Sequence, residues 1–259
     1  MAPLLPLLPS DLEETGHSIL EQAASEATAL LGPDRVTTSL LDGPRVTRLL
    51  EAARHARLLA LGHDRRLTLG RLVTGSTVTA VAAGSACPIV SVSADWLPKG
   101  EQHCVVAGIK SVEHSPQLVR RTLELASERR ARVVLVHAWD LPYQYDDLVV
   151  ARVDEVAWNE RARRAIERSL SPLREAYPEV PVEVRVVHGQ PARILRDASL
   201  EADLLVLARR QHAFPVGHLG ATARTLIRES GCPVVIVPPA DRPEGDLDLV
   251  LEKAGRIQK

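Results

Sequence analysis

Short apolar runs alternate with helical periodicities along most of the chain. Valine and leucine dominate the runs at residues 105–109, 133–136, 182–187, 204–207 and 234–237. Runs of this length, bounded by turn residues, predict buried strands. Because parallel strands need crossover connections and helices fill the intervals, the pattern predicts an α/β fold with a parallel sheet covered on both faces.

The intervals between these strands contain clear helix signals. Ser115 and Pro116 supply an N-cap followed by proline at the first helical position. A longer helix is predicted from about Asp154, and two further helices are predicted after Pro191 and from about Gly220. Five strands and four helices therefore alternate in the second part of the chain.

The first part of the chain matches only the later half of this pattern. A helix capped by Ser10 and Glu13 is followed by a strand, a helix, a strand, a helix and a strand, predicted over residues 36–41, 46–53, 58–61, 75–83 and 89–92. Self-comparison supports the match, because Gly43 falls on Gly189 at an offset of 146 residues, and Cys87-Pro88 falls on Cys232-Pro233 at 145.

This internal similarity predicts a tandem of two units, residues 1–95 and 102–240, with a tail at 241–259. The first unit has no counterpart of residues 103–138, so its first strand, first helix and second strand are expected to precede Met1 or to be absent. Three explanations stay open: a start site upstream, a real truncation whose remaining strands close together, or another subunit that fills the gap.

Composition and charge narrow the function. The net charge is -1 and the sequence pI is about 6.8, so no overall field attracts nucleic acid or an anionic membrane. No run of 18 apolar residues predicts a membrane span, and the proline-broken start lacks the basic region of a signal peptide. Three widely spaced cysteines fit a structural role in a reducing cytoplasm.

Sequence signatures of catalysis are absent. Residues 70–76 superficially look like a P-loop but lack the lysine that precedes its serine. The nine histidines show no metal-ligand spacing, and no G-x-S-x-G nucleophile motif is present. We therefore expect no catalytic residues and no metal, and a nucleotide hydrolase or transferase ranks last among the functions considered.

Three recurring motifs resemble those of the universal stress protein family, from about Ser10 to Val237. They are the strand entries Ala86-Cys87-Pro88-Ile89-Val90 and Gly231-Cys232-Pro233-Val234-Val235, the pattern Gly189, Pro191, Leu195 and Ala202-Asp203-Leu204, and the loop Gly62-x-x-Arg65-x9-Gly75-Ser76. The resemblance implies units with strand order 3-2-1-4-5, of the adenine-nucleotide-hydrolase-like type. It also implies ATP or another adenine nucleotide as the ligand where the loop is kept.

Measured against that family pattern, both loops are incomplete. The first unit keeps Gly62, Gly75, Ser76 and Thr77 but has Arg65 at the middle glycine. In the second unit, Lys110 stands where the family usually has an acidic residue, at the end of the first strand. Ala208 stands in place of the first loop glycine, Gln211 lies near the second, and Gly220-Ala221-Thr222 lies at the third. The candidate nucleotide-binding residues are Gly62, Arg65, Gly75, Ser76, Thr77, Lys110, Gly220 and Thr222.

Other interpretations of these residues stay open. The glycines Gly75 and Gly220 serve equally well as plain helix starts. Lys110 and Arg65 either turn the site into an anion site, since cations beside a helix N-terminus favour phosphate, or extend into solvent. The resulting hypothesis is a non-enzymatic stress-response protein with residual or lost adenine-nucleotide binding. Its alternative is a nucleotide-independent scaffold.

The family resemblance also implies how the two units meet. Last strands of such units commonly form the contact of a dimer or pseudo-dimer, so residues 89–92 are expected to face residues 234–237. We expect self-association through these last strands, and neither a nucleic acid nor a membrane as partner.

Overall fold

The structure, a computed structural model, describes residues 9–64, 72–98, 102–110, 116–140, 155–209 and 219–239. By its backbone contacts the chain divides into two compact units, Met1–Pro44 and Arg45–Lys259. The division predicted from the sequence, residues 1–95 and 102–240, differs from these compact units and stays a prediction. Strands from both predicted units join one sheet. The predicted tail at 241–259 lies outside the described residues.

The described residues before Arg45 form a long helix followed by a mostly irregular segment. Helix α1 spans Pro9–Leu31 and ends at Gly32, whose φ of 90° is a left-handed conformation that favours glycine. A short 3-10 helix, Pro33–Arg35, follows. The segment after it lies against α1, because a Cβ on Gly16 would be 2.9 Å from Leu40 Cδ1.

The strand predicted over residues 36–41 is wrong. These residues belong to neither a helix nor a strand, although the sequence Val-Thr-Thr-Ser-Leu-Leu has a high β propensity. A strand is defined by its hydrogen-bonded neighbour, and within the described part of the chain the sheet order includes no strand from this segment. Propensity without a pairing partner therefore leaves the segment irregular.

The unit from Arg45 onwards contains six helices and seven strands among its described residues. In chain order they are α2 (Arg45–Ala53), β1 (Leu59–His63), α3 (Leu72–Gly84), β2 (Ile89–Ser93), β3 (Cys104–Gly108), α4 (Pro116–Arg129), β4 (Arg132–Trp139), α5 (Glu155–Ala176), β5 (Val182–His188), α6 (Pro191–Ser199), β6 (Leu204–Ala208), α7 (Ala221–Glu229) and β7 (Val234–Val237).

The described strands form one seven-stranded sheet in the order β1-β2-β7-β6-β3-β4-β5. Every pair is parallel except β2 with β7. The predicted α/β class with a mostly parallel sheet is confirmed. The last five strands lie side by side in the order β5-β4-β3-β6-β7. If β3 is numbered as the first of the five, this order is 3-2-1-4-5.

The two halves of the sheet meet at its antiparallel pair. Ile89 lies opposite Ile236, Val90 opposite Val235, and Ser91 opposite Val234. The expected facing of the two last strands is thus observed within one chain. Because β1 and β6 occupy the other sides of β2 and β7, neither strand has a free edge for a second copy. Self-association through these strands has no place in this arrangement.

Two layers of apolar side chains bury the two faces of the sheet. One layer contains Leu50, Leu205, Leu226 and Ile236, packed among α2, α7 and the strands. The opposite layer contains the fully buried Leu123 and Leu170 of α4 and α5, together with Val206 and Val235. Each such side chain contributes about 1.5–3 kcal/mol on burial. The sheet is therefore covered by apolar side chains on both faces.

Local geometry recurs at positions related by the sequence offset. Gly43 and Gly189 both have positive φ, 111° and 134°, and each precedes a nine-residue helix, α2 or α6. The Leu59 N–H donates to the Pro88 carbonyl at 3.0 Å, and the Leu205 N–H donates to the Pro233 carbonyl at the same distance. These shared details are local, at the two glycines and at the two strand pairs, and the tandem as a whole stays a prediction.

No helix among the described residues combines the length and apolar character needed to cross a bilayer. No group of three or more histidine, cysteine, aspartate or glutamate side chains in the same ranges is placed to hold a metal ion.

Candidate functional site

The strand order of the sheet reverses at β3. The chain passes from β3 to β4 on one side and later returns to β6 on the other. In open α/β sheets, ligands bind outside the carboxyl ends of the strands at such a reversal. A cavity of about 760 Å³ lies there. Its lining includes Ile109, Lys110, Trp139, Asp140, Ala208 and Arg209 from the strand ends, and Pro116, Pro191, Gly220 and Thr222 from the helix starts.

The floor of the cavity is apolar and closely packed. Leu195 of α6 and Leu207 of β6 are buried and line it. A Cβ on Gly108, the last residue of β3, would lie 2.8 Å from Leu195 Cδ1 and 3.0 Å from Leu207 Cδ2. Glycine at this position therefore lets the two leucines close the bottom of the cavity over the strand.

The N-terminus of α7 opens onto the cavity. Its N-cap, Gly220, makes no side-chain capping bond, and the first turn contains no acidic residue. The first N–H groups of a helix have no partner within the helix, and the helix dipole adds partial positive charge there. Because Gly220 and Thr222 line the cavity, this helix end offers N–H donors to an anion inside it.

Three charged side chains line the cavity among the described residues. Lys110, just after β3, and Asp140, just after β4, are exposed, whereas Arg209 is only 8% exposed. The Arg209 guanidinium donates to the carbonyl oxygens of Ala82 and Ser85 at the end of α3. It therefore stabilises the junction of the sheet halves in addition to forming part of the wall.

The candidate residues of the second predicted unit lie together. Lys110, Gly220 and Thr222 all line the one cavity, although they come from segments more than a hundred residues apart in the sequence. Of the first-unit candidates, Gly62 and Thr77 are described by the structure and are not part of this lining. Gly62 lies near the end of β1, and no atom lies within 4 Å of where its Cβ would be. Arg65 lies outside the described residues.

Helix α3 includes the residues that were predicted to begin it, Gly75, Ser76 and Thr77. The sequence predicts a helix start at Gly75, but α3 begins at Leu72, so Gly75, Ser76 and Thr77 lie within the helix. The residues before Gly75, Leu-Val-Thr, continue the helical pattern upstream. Since the N–H groups without an intrahelical partner belong to the first residues of a helix, they precede Gly75 here. The backbone of Gly75 and Ser76 is then committed to the helix.

Among the lining residues that were not predicted as site residues are Trp139, Asp140 and Arg209. The strand predicted over residues 133–136 extends to Trp139 in the structure. The apolar and aromatic character of His137, Ala138 and Trp139 was the signal that could have extended it. The burial of Arg209 had no signal in the sequence, since arginine is rarely buried without a partner.

Aromatic rings surround Trp139. Its indole lies 4.3 Å from the His188 ring and 4.4 Å from the Trp158 ring, measured between centroids. Its Nε1–H donates to Asn159 Oδ1 at 2.8 Å. The ring is thus held from β5 on one side and from α5 on the other.

The cysteines lie in the core. The thiols of Cys87, Cys104 and Cys232 are buried and form no disulfide. Burial raises the pKa of the Cys104 thiol above its usual value, which keeps it protonated and unreactive at neutral pH.

Comparison with known proteins agrees with this architecture. Residues 103–238 match the model of the Universal stress protein family. A universal stress protein of Mycobacterium tuberculosis is 26% identical over 230 residues, 86% of this chain and 77% of that protein. One of Mycolicibacterium smegmatis is 25% identical over 232 residues, 88% and 78% of the two chains.

Solved structures show the same fold. A universal stress protein from Archaeoglobus fulgidus superposes with a TM-score of 0.64 at 16% identity, covering 91% of this chain and 81% of that one. A putative one from Pseudomonas aeruginosa gives 0.57 at 13% identity, covering 91% and 82%. The fold and the cavity define an α/β protein with an open space where the strand order of its sheet reverses. The chain belongs to the universal stress protein family, and this membership supports a role in the response to stress.

Proposed function

We propose that the cavity at the ends of β3, β4 and β6 binds an adenine nucleotide, ATP or a close relative. The observation that supports this most directly is the convergence of Lys110 and the N-terminus of α7 on one apolar-floored cavity. Its volume of about 760 Å³ lies within the range of about 300–1,000 Å³ that is typical of small-molecule sites.

The proposed orientation follows from the charges. The phosphates lie against the N–H groups of Ala221 and Thr222, because helix N-termini favour anions. Lys110 adds a mobile positive charge. The opposite side of the cavity, at the end of β4, takes the nucleoside, and Asp140 is the carboxylate available there to accept hydrogen bonds from ribose hydroxyls.

Two departures from the family pattern change which residues we expect to contact the nucleotide. Lys110 replaces the usual acid at the end of the first strand, but Asp140 lines the same cavity from the neighbouring strand. Ala208 replaces a loop glycine, and this substitution removes the conformational freedom that a phosphate loop uses. We therefore assign the phosphate contacts to α7 rather than to the loop after β6.

We further propose that the protein binds its ligand without turning it over, in the cytoplasm. Among the described residues that line the cavity there is neither a histidine nor a cysteine, and Asp140 is the single carboxylate. This set offers no paired acid and base. Three cysteines without a disulfide suit a reducing compartment.

The test begins with the purified protein. Denaturing extraction followed by nucleotide analysis should release an adenine nucleotide, and calorimetry should detect ATP binding without release of phosphate. Lys110→Glu should weaken ATP binding at least tenfold, since it reverses a charge beside the phosphates. Arg120→Glu is the matched control, because Arg120 is exposed on α4 and is not part of the lining. Equal ATP affinity in wild type and Lys110→Glu would contradict the proposed site.

A nucleotide-independent scaffold is the second candidate, and the unit Met1–Pro44 supports it. Helix α1 exposes Leu12, Ile19 and Leu30 by 58%, 63% and 86%. Exposed apolar side chains in this number on one helix are typical of an interaction surface. If extraction yields no nucleotide and ATP does not bind, the scaffold becomes the better explanation.

A further inference from the structure

We infer that Leu12, Ile19, Ala23 and Leu30 form a docking surface for a basic amphipathic helix of another protein. We call this set of residues the α1 stripe. None of its members is part of the cavity lining, so the inference stands whether or not the cavity binds a nucleotide. It goes beyond the scaffold candidate because it names the binding surface and the chemistry of the partner.

The four side chains of the α1 stripe lie in one row along the helix. Leu12 and Ile19 are seven residues apart, Ile19 and Ala23 four, and Ala23 and Leu30 seven. At about 100° per residue, these intervals return to within about 20° of the same direction, and they are the intervals of a heptad repeat. With a rise of about 1.5 Å per residue, the row is about 27 Å long. Such a row fits one helix laid alongside α1.

The α1 stripe is exposed, although apolar positions at such intervals usually form the buried face of a helix. Ala23 is exposed together with the three larger side chains. Six of the eleven exposed large hydrophobic residues in the described part of the chain precede Arg45. Single exposed apolar residues are normal on a protein surface, whereas a continuous row of them is typical of an interaction site.

A different face of α1 is covered by the segment that follows it. Gly16, Leu20, Ala24 and Ala27 are half-buried and lie at helical spacing on one side of the helix. Leu40 packs there, since a Cβ on Gly16 would be 2.9 Å from Leu40 Cδ1. One apolar face of α1 therefore holds the segment of its own chain, and the α1 stripe is a second, separate apolar face.

The charges on α1 are of one sign. The helix contains neither lysine nor arginine, and it contains five carboxylates: Asp11, Glu13, Glu14, Glu21 and Glu26. The whole chain has a net charge of only -1, so this acidity is local. A partner with lysine or arginine beside its apolar row complements this charge, whereas an acidic partner is repelled. The charge pattern therefore selects a basic amphipathic helix.

Glu26 adds a specific requirement for the partner. It lies seven residues after Ile19 and four before Leu30, so it occupies a position within the same row. Its side chain is exposed, and the hydrogen bond that it accepts from Gln22 is long, at 3.4 Å. A carboxylate inside an apolar contact needs a cation opposite it. Two copies of α1 side by side would supply carboxylates and no cation, which disfavours a second copy as the occupant.

Peptide binding to the full chain tests the inference. The probes are two synthetic amphipathic helices with leucine at the a and d positions of the heptad, one with lysine and the other with glutamate at the flanking positions. In calorimetry, the protein should bind the lysine peptide at least about tenfold more tightly than the glutamate peptide. Equal affinity for the two peptides would overturn the inference.

Substitution of the α1 stripe tests the apolar part of the contact. The double variant Ile19→Ser, Leu30→Ser should bind the lysine peptide at least about tenfold more weakly than wild type, because two apolar contacts are lost. The double variant Val156→Ser, Leu200→Ser is the matched control, since both side chains are exposed outside α1 and their loss should leave the affinity unchanged. Unchanged affinity in the first variant would overturn the inference.

Charge reversal within the row tests the electrostatic part of the contact. Glu26→Lys should weaken binding of the lysine peptide and strengthen binding of the glutamate peptide, each by at least about fivefold. Glu175→Lys makes the same change of net charge at an exposed position of α5 and should alter neither affinity. Equal effects of the two reversals would show that the peptides sense only the overall charge, and the α1 stripe would be overturned as their site.

Two further measurements test other occupants of the α1 stripe. If sedimentation shows self-association of wild type that Ile19→Ser, Leu30→Ser abolishes, the occupant is a second copy of the chain and the inference is overturned. If the urea midpoint of this variant lies well below that of Val156→Ser, Leu200→Ser, the chain itself covers the stripe and the inference is again overturned. Affinity for ATP should be equal in all these variants, so failure of the α1 stripe and failure of the nucleotide site are separate results.

Discussion

The guanidinium of Arg209 donates a hydrogen bond of 2.7 Å to the carbonyl oxygen of Ser85, 124 residues earlier in the chain. A second bond of 3.2 Å reaches the carbonyl of Ala82. Both acceptors belong to the C-terminal end of α3, where carbonyl groups lack intrahelical donors and the helix dipole is negative. One buried cation thus joins the end of β6 to a helix of the other half of the sheet.

Replacement of Arg209 should lower stability. Arg209→Met removes a charged donor from two buried carbonyl groups, which should cost about 2–3 kcal/mol in the free energy of unfolding. Urea denaturation followed by circular dichroism measures it. Arg196→Met is the matched control, since Arg196 forms an exposed ion pair with Asp197 and should cost less than about 1 kcal/mol. Equal midpoints for the two variants would show that the α3 contacts add nothing.

Ser85 and Ser230, two residues before Cys87 and Cys232, should contribute equally to the free energy of unfolding. Ser85 Oγ donates to the Cys87 carbonyl at 2.8 Å and accepts from the Cys87 N–H at 3.1 Å; for Ser230 and Cys232 the distances are 2.8 and 3.3 Å. Ser85→Ala and Ser230→Ala should each destabilise the protein by about 1–3 kcal/mol, because buried backbone groups lose their partners.

Urea unfolding of the two serine variants, with Ser169→Ala as the control, tests this equivalence. Ser169 is exposed on α5, and its loss should change stability by less than about 0.5 kcal/mol. A large cost at one of the two buried serines and none at the other would contradict the view that both turns work in the same way.

Close approach of the backbone requires glycine at position 231. A Cβ there would lie 2.8 Å from Leu200 Cδ2 and 3.1 Å from both Leu200 Cα and the Ser199 carbonyl oxygen. Since backbone atoms cannot move aside, Gly231→Ala should cost about 1–3 kcal/mol. Gly62→Ala is the matched control, because nothing lies within 4 Å of the added methyl group and the change should be neutral. Thermal melts that rank the two variants in the opposite order would refute this explanation.

The pKa of Glu160 should be low and sensitive to salt. Hydrogen bonds from Arg163 and then Arg164, on the same face of α5, lower the pKa of its carboxyl from 4.5 to about 2. A carboxyl whose pKa is lower in the folded state stabilises the protein at pH values above its unfolded-state pKa. That contribution is lost as the pH falls from about 4.5 to about 2.

Carbon-13 NMR titration of Glu160 measures this shift directly. Because the group is exposed, 1 M salt should raise its pKa towards the ordinary value by screening the arginines. Arg163→Gln should raise the pKa further, since Arg163 supplies the largest effect. A pKa that stays near 4.5 in wild type at low salt would show that these ion pairs do not persist in solution.

The sequence was sufficient to predict the strands and helices of the second half of the chain. Strands such as β3 and β6 are buried on both faces, so their valine and leucine runs have a single good interpretation. The segment at residues 36–41 shows the limit of this reasoning. Its β-branched residues fit a strand, but strand formation depends on a neighbouring strand, which local composition does not report.

Only the cavity residues at positions of the family motif could be predicted from the sequence. Lys110, Gly220 and Thr222 follow strand ends or begin a helix, and topology brings such positions together. Trp139 depends on how far β4 continues beyond Val136, which periodicity leaves open by several residues. The partners of Arg209 belong to α3, and a contact between segments so distant in sequence has no local signal.

The antiparallel pair of β2 and β7 has a consequence for behaviour at low protein concentration. Two separate chains that met through their last strands would dissociate on dilution. Here both strands belong to one chain, so their local concentration is fixed by the covalent connection and not by the amount of protein present. The sheet, and the cavity it supports, should therefore persist unchanged at the lowest concentrations a cell maintains.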